Sequence, residues 1–173
     1  MAKVMKRISV ITILLTICFY ILYKLTDYRT LFPFIITFGT IAYHFTIRLS
    51  VGATVDRIMH NKADYHKKWY RVRDAEMKLY HKLKVKKWKN KMPTFHEDTF
   101  DVSKHSWDEI VQATCQSELV HEIDIVFSFL PIIASVWYDS FWVFFITSAL
   151  GAVFDFMFVM MQRFNRRRIM KIK

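Results

Sequence analysis

Four apolar runs, each close to the length needed to cross a lipid bilayer, constrain this chain more than any other feature. They cover about 8–26, 31–49, 118–138 and 141–161. A spanning helix needs about 20 predominantly apolar residues, and in hydrocarbon only helices or closed barrels satisfy their backbone polar groups. Three Gly and three Pro in 173 residues leave few turns, which favours long helices over short strands. The expected fold class is all-α: one polytopic membrane domain over 1–173, with about four transmembrane helices and an amphipathic interfacial helix. The segment 50–117 is expected on the cytosolic face. Lys3, Lys6 and Arg7 precede the first run as in a signal peptide, but the run is long and no small-residue cleavage site follows. An uncleaved first helix is expected.

The Lys and Arg distribution orients the helices. Residues 48–117 carry fifteen Lys/Arg against nine Asp/Glu, a net of +6, and residues 163–173 carry six Lys/Arg. The turn Tyr138-Asp139-Ser140 has none. A multi-pass protein of the cell membrane is expected, with both termini cytosolic and a tight hairpin between the third and fourth runs. The formal charge of +11, beside such apolar runs, points to anionic lipid head groups or a phosphate-bearing substrate, not to nucleic acid. Cys18 and Cys115 have no disulfide or zinc spacing.

Within the basic segment, Tyr65, Trp69, Val72, Leu79 and Leu83 recur near helical spacing, with Lys67, Lys68, Arg71, Arg73, Lys78 and Lys82 on the other faces. This predicts an amphipathic helix over 65–83, lying in the interface or packed on its neighbours. Lys84-Val-Lys86-Lys87-Trp88-Lys89-Asn-Lys91 follows; Trp88 would anchor at the interface while lysines meet phosphates. Residues 92–104 read as a loop because Pro93 disfavours helix at Met92, and 105–117 read as the lead-in to the third run.

Ionisable residues in membrane helices are costly and mark function or pairing. On a helix, Glu118, His121 and Glu122 share a face, with Asp124 at its side. His121 is a candidate general base with Glu118 as its orienting acid. The alternatives are an interfacial charge cluster, or a mononuclear metal held by Glu118, His121 and Glu122. In the fourth run Asp155 is expected to pair with Arg48 or His44, or to join a polar track for substrate. Gln162-Arg163-Phe164-Asn165-Arg166-Arg167-Arg168 ends the chain's apolar part. Arg forks take phosphate or carboxylate, and Gln and Asn suit sugar hydroxyls. No Gly-rich phosphate loop, Gly-x-Ser-x-Gly or His-Glu-x-x-His is present.

Trp69-Tyr70-x-Val72-Arg73, Val85-Lys86-x-Trp88-Lys89-x-Lys91-x-Pro93, Glu118-Leu-x-His121 followed by Pro131, and Gln162-Arg163-Phe164-Asn165-Arg166-x-Arg168 occur in that order. This order resembles the glycosyl-4,4'-diaponeurosporenoate acyltransferase family of small bacterial membrane proteins, over roughly residues 65–170. The resemblance implies transfer of a fatty acyl group to a hydroxyl of a membrane glycolipid or isoprenoid lipid; it firmly implies no cofactor, and leaves the donor open between acyl-CoA and another activated acyl carrier. It implies that His121 deprotonates the acceptor and Glu118 orients it. Lys86, Trp88, Lys89, Asp155, Gln162, Arg163, Asn165, Arg166 and Arg168 would bind substrate. Two other functions fit the residues: a non-catalytic lipid-binding subunit or scaffold, and a transferase acting on a polyprenyl-phosphate or phospholipid.

Overall fold

The computed structural model describes residues 2–93 and 98–172, and these are helical with no strand among them. The long helices are α1 (Ala2–Thr26), α2 (Phe32–Met59), α5 (Trp107–Ser128) and α7 (Phe141–Ile172). The short ones are α3 (Asp74–Lys82), α4 (Val85–Trp88) and α6 (Pro131–Tyr138). Four stretches, α1, α2 with its preceding turn, α5 with α6, and α7, are long and apolar enough to cross a membrane.

Helices α1, α2 and α7 outrun their apolar runs, whereas the run expected as one helix over 118–138 is divided between α5 and α6; local chemistry sets the true ends. Ser106 caps α5: the Glu109 amide donates to Ser106 Oγ while Glu109 Oε2 accepts from the Ser106 amide. This reciprocal capping box starts the helix eleven residues before the expected span, so 105–117 is largely its first half. Pro131, with no amide to donate, stands at the start of α6 and separates it from α5. His60 and Asn61 take left-handed conformations that stop α2 at Met59, ten residues past the expected limit. Asp139 does the same between α6 and α7, forming the expected hairpin.

The expected helix over 65–83 exists only in its second half. Lys68–Tyr70 forms a 3₁₀ turn, Arg71 is extended, and α3 begins at Asp74. The reason is tertiary. Carbonyls of Trp69, Tyr70 and Arg71 accept from the guanidinium groups of Arg163 and Arg166 instead of from helix amides. Trp69, Leu79 and Leu83 are exposed, but Val72 is buried, so the apolar positions do not form one outward stripe. Residues 94–97, in the middle of the expected 92–104 loop, lie outside the described residues.

Packing divides into two regions. α5 lies along α7 and α1 along α2, with α2 joining the two pairs through α5. The outward surface of α1, α6 and the first half of α7 is apolar, with Leu14, Val136, Trp142 and Leu150 all largely exposed. Exposed apolar side chains of this size are uncommon where a helix faces water. Polar side chains turn inward there, as in the Ser9–Thr46 hydroxyl contact of 2.7 Å between α1 and α2. Beyond the apolar band, α3 and α4 dock on α7 through a small core of Val72, Tyr80, Val85, Met160 and Phe164. That core fixes the basic segment against the C-terminal half of α7.

Candidate functional site

Helical spacing on α7 places Asp155 and Phe158 one turn apart, and both face His121 of α5. His121 Nδ1 lies 3.0 Å from Asp155 Oδ1, and its ring stacks on Phe158 with centroids 4.3 Å apart. The second Asp155 oxygen accepts from Arg48 Nη2 of α2, one of the two partners the sequence offered. Arg48 also donates to Ser128 Oγ at 3.1 Å and to the His44 carbonyl at 2.8 Å. Asp155 is 1% exposed, so this network is desolvated and its charges are held by one another. Gly151, one turn before Asp155, makes room: a Cβ there would stand 2.9 Å from Arg48 Nη2.

The imidazole is therefore held on two sides, by a hydrogen bond and by a ring. With Nδ1–H donated to a carboxylate, Nε2 is the nitrogen left to accept a proton. The His121 side chain keeps 20% exposure, whereas its carboxylate partner is sealed. The arrangement is thus an imidazole oriented by a buried carboxylate and a stacked ring, with an arginine on the far carboxylate oxygen.

Glu118 does not orient His121. It is fully buried, and its oxygens pair with Arg163 and Arg166. The shared helix face suggested by sequence is real, but tertiary partners pull the two side chains into different networks. Arg163 also donates from Nε to Glu76 Oε2 at 2.9 Å and from Nη2 to Glu76 Oε1 at 3.2 Å. Burial by itself raises the Glu76 carboxyl, but the Arg163 hydrogen bonds and charge outweigh it and hold the group below the usual range. Tyr80, bonded to Glu76, is pushed up to about 12, first by burial and then by the Glu76 charge. Arg166 Nη2 reaches the Tyr70 carbonyl at 2.8 Å, and Arg167 meets Asp74 at 2.9 Å. Together these bonds form a latch that ties residues 69–76 to α5 and α7. Sequence gave no sign of Glu76 as a latch residue, since it sits in a polar stretch with no periodicity pointing at α7.

Glu122 accepts from Trp69 Nε1 at 2.8 Å, so the metal set Glu118, His121 and Glu122 does not converge. Among the described residues the group with metal-ligand spacing is His121, Asp124 and Asp155, whose ligand atoms lie within 4.8 Å of one another. Asp124 is buried and its Oδ1 has no partner.

The remaining expected site residues gather near the end of α7. Gln162 donates to Ser117 Oγ at 3.1 Å, and Asn165 Oδ1 accepts from Lys89 Nζ at 2.6 Å. Trp88 does not project outward: its Nε1 donates to the Leu83 carbonyl at 3.1 Å and its ring packs on the Phe164 core. Lys86 and Arg168 are exposed and line a cavity of about 200 Å³ beside Phe164. Arg168 also borders a groove of about 480 Å³ with Lys89, Gln162 and Asn165. Sequence reasoning missed Phe158 and Gly151, although both sit one helical turn from Asp155.

No curated protein and no solved structure matches this chain. A family model does, over residues 66–173. That range holds His121, Asp155 and the whole Glu118–arginine latch, and leaves out α1, His44 and Arg48. By this match over most of its length, the chain belongs to the glycosyl-4,4'-diaponeurosporenoate acyltransferase family.

Proposed function

We propose that this protein sits in the cell membrane with its basic segment and both termini cytosolic, and moves a fatty acyl group from an activated carrier to a hydroxyl of a membrane glycolipid. The observation that carries the reading is the His121–Asp155 contact, sealed on the carboxylate side and open on the imidazole side. In the reaction, His121 Nε2 takes the proton of the acceptor hydroxyl as its oxygen attacks the acyl carbonyl. The new ester C–O bond forms, the bond to the carrier breaks, and the imidazolium returns the proton to the leaving group. For a thioester carrier the leaving group is a thiol. Asp155 is the positioning residue, itself held in place by Arg48. Glu118 serves the fold through its arginines.

His121→Ala in nanodiscs, with glycolipid acceptor and labelled acyl donor, is expected to lose at least about 10³-fold in turnover at unchanged melting temperature. A variant that folds and still transfers acyl groups at the wild-type rate rules out the base assignment. A second reading, a metal-dependent transferase acting on a polyprenyl phosphate, draws on the ligand spacing of His121, Asp124 and Asp155. Loss of activity in chelator with recovery on adding a divalent cation would favour it; chelator-insensitive acyl transfer counts against it.

A further inference from the structure

The arginines at the end of α7 fall into two classes. Arg163, Arg166 and Arg167 each meet a carboxylate. Arg168 meets none among the described residues, and neither do Lys86, Lys89 or Lys171. Yet these four cations are gathered round one ring. Lys86, Arg168 and Lys171 line the cavity beside Phe164, while Lys89 and Arg168 stand 5.8 and 5.9 Å from the Phe164 centroid. Lys89 loses proton affinity, first through burial and then through the charges of Arg168 and Lys86. Like charges held together without a counter-charge are complementary to an anion of several charges.

The groove that begins at Arg168 has no acidic wall among its described residues. Its sides are largely apolar, with Trp107, Ile110, Met161 and Ile169, and its amides are Asn90, Gln162 and Asn165. Gln162 is bonded to Ser117, one helical turn from His121. From Arg168 back to Asp155 is thirteen residues of continuous helix, about 20 Å at the helical rise per residue. A coenzyme A thioester has the matching layout. It carries several phosphates at one end, a long arm with amides and methylenes, and the reactive carbonyl at the other end.

We propose that Lys86, Lys89, Arg168 and Lys171 hold the phosphates of a coenzyme A thioester, whose arm lies in the groove and whose carbonyl reaches His121. This rests on the acyl-transfer reading above and names its donor. The acyl chain continues from that carbonyl into the apolar band.

The test is equilibrium binding of labelled palmitoyl-CoA to the full chain in phosphatidylcholine nanodiscs, without acceptor. The triple variant Lys86→Gln, Arg168→Gln, Lys171→Gln is expected to bind at least tenfold more weakly. A charge-matched control at exposed Lys62, Lys67 and Lys68, each to Gln, is expected to bind within twofold of wild type. Free coenzyme A is expected to compete, and a short-chain phosphatidylglycerol is not. Wild-type binding by the triple variant overturns the proposal, as does equal loss in the control. Competition by phosphatidylglycerol but not by coenzyme A assigns the cations to lipid head groups and also overturns it. Binding is read without turnover, so the two readings fail separately. A His121→Ala protein that binds palmitoyl-CoA normally yet still transfers acyl groups removes the base and keeps the donor site. Undiminished palmitoyl-CoA binding by the triple variant, with transfer still dependent on His121, does the reverse.

Discussion

Glu118→Gln separates a structural role for this carboxylate from a catalytic one. Glu118 is 0% exposed and pairs with both Arg163 and Arg166, whose side chains are 13% and 3% exposed. Removing one partner of a buried pair costs about 3–5 kcal/mol, because the other charge stays desolvated and unmatched. Two features move the value to the lower end. Arg163 keeps Glu76, and Arg166 keeps the Tyr70 carbonyl. The glutamine oxygen also still accepts one hydrogen bond. We expect a loss of about 3 kcal/mol, or roughly 6–12 °C in melting midpoint for a chain of this length. The assay is thermal unfolding in detergent micelles, with Arg166→Gln and the double variant completing a cycle. A coupling of about 1–3 kcal/mol is expected, since the two residues share one network. Acyl transfer by the surviving folded fraction should stay within about tenfold of wild type. A Glu118→Gln protein as stable as wild type but inactive would refute the argument, because it would place Glu118 in the chemistry.

Asp155→Asn should lower turnover by about 10²–10⁴-fold through loss of the carboxylate that orients His121, and should also destabilise the fold by stranding Arg48. Adding Arg48→Met should recover stability, measured by unfolding, without recovering turnover. Gly151→Ala gains about 1 kcal/mol of helix propensity but presses on Arg48 Nη2, so stability should change little while turnover falls about tenfold. Glu76 has a depressed folded-state pKa, so its stabilisation is present above the ordinary carboxylate range and is lost as pH falls through the folded value. Hydrogen exchange of residues 69–76 should therefore quicken relative to α5 on acidification below about pH 4, a change that Glu76→Gln should abolish. If exchange there is insensitive to pH in the wild type, the latch does not depend on that ion pair.

The helices were legible because long apolar runs with few Gly and Pro are read as helices of spanning length, and Asp139 lies in the expected turn. The break before Pro131 was not read: it falls inside the run expected as one helix over 118–138. The start of α5 was also written in the sequence, as Ser106 and Glu109 three apart, but a hydropathy reading looks past a capping box in a polar stretch. The helix over 65–83 failed for a different reason. Periodicity assumes that backbone carbonyls bond within their own helix, and here Arg163 and Arg166 take them from more than ninety residues away.

The candidate site divides in the same way. Composition and spacing alone marked His121, Glu118, Asp155 and the arginine tail as residues too costly to be plain anchors, and they offered Arg48 or His44 as the partner of Asp155. Which carboxylate serves His121 was beyond local spacing. Glu118 is three residues away along the helix, and Asp155 is thirty-four away in sequence, yet the α5–α7 packing brings Asp155 to the imidazole and gives Glu118 to two arginines. In a desolvated interior every charge goes to the partner that best compensates it, and that partner is set by how helices pack. The sequence thus determined the membrane-sized helices and the identity of the ionisable groups. The tertiary structure alone decided that His121 pairs with Asp155, that Glu118 goes to the arginine latch, and that Arg168 has no carboxylate partner among the described residues.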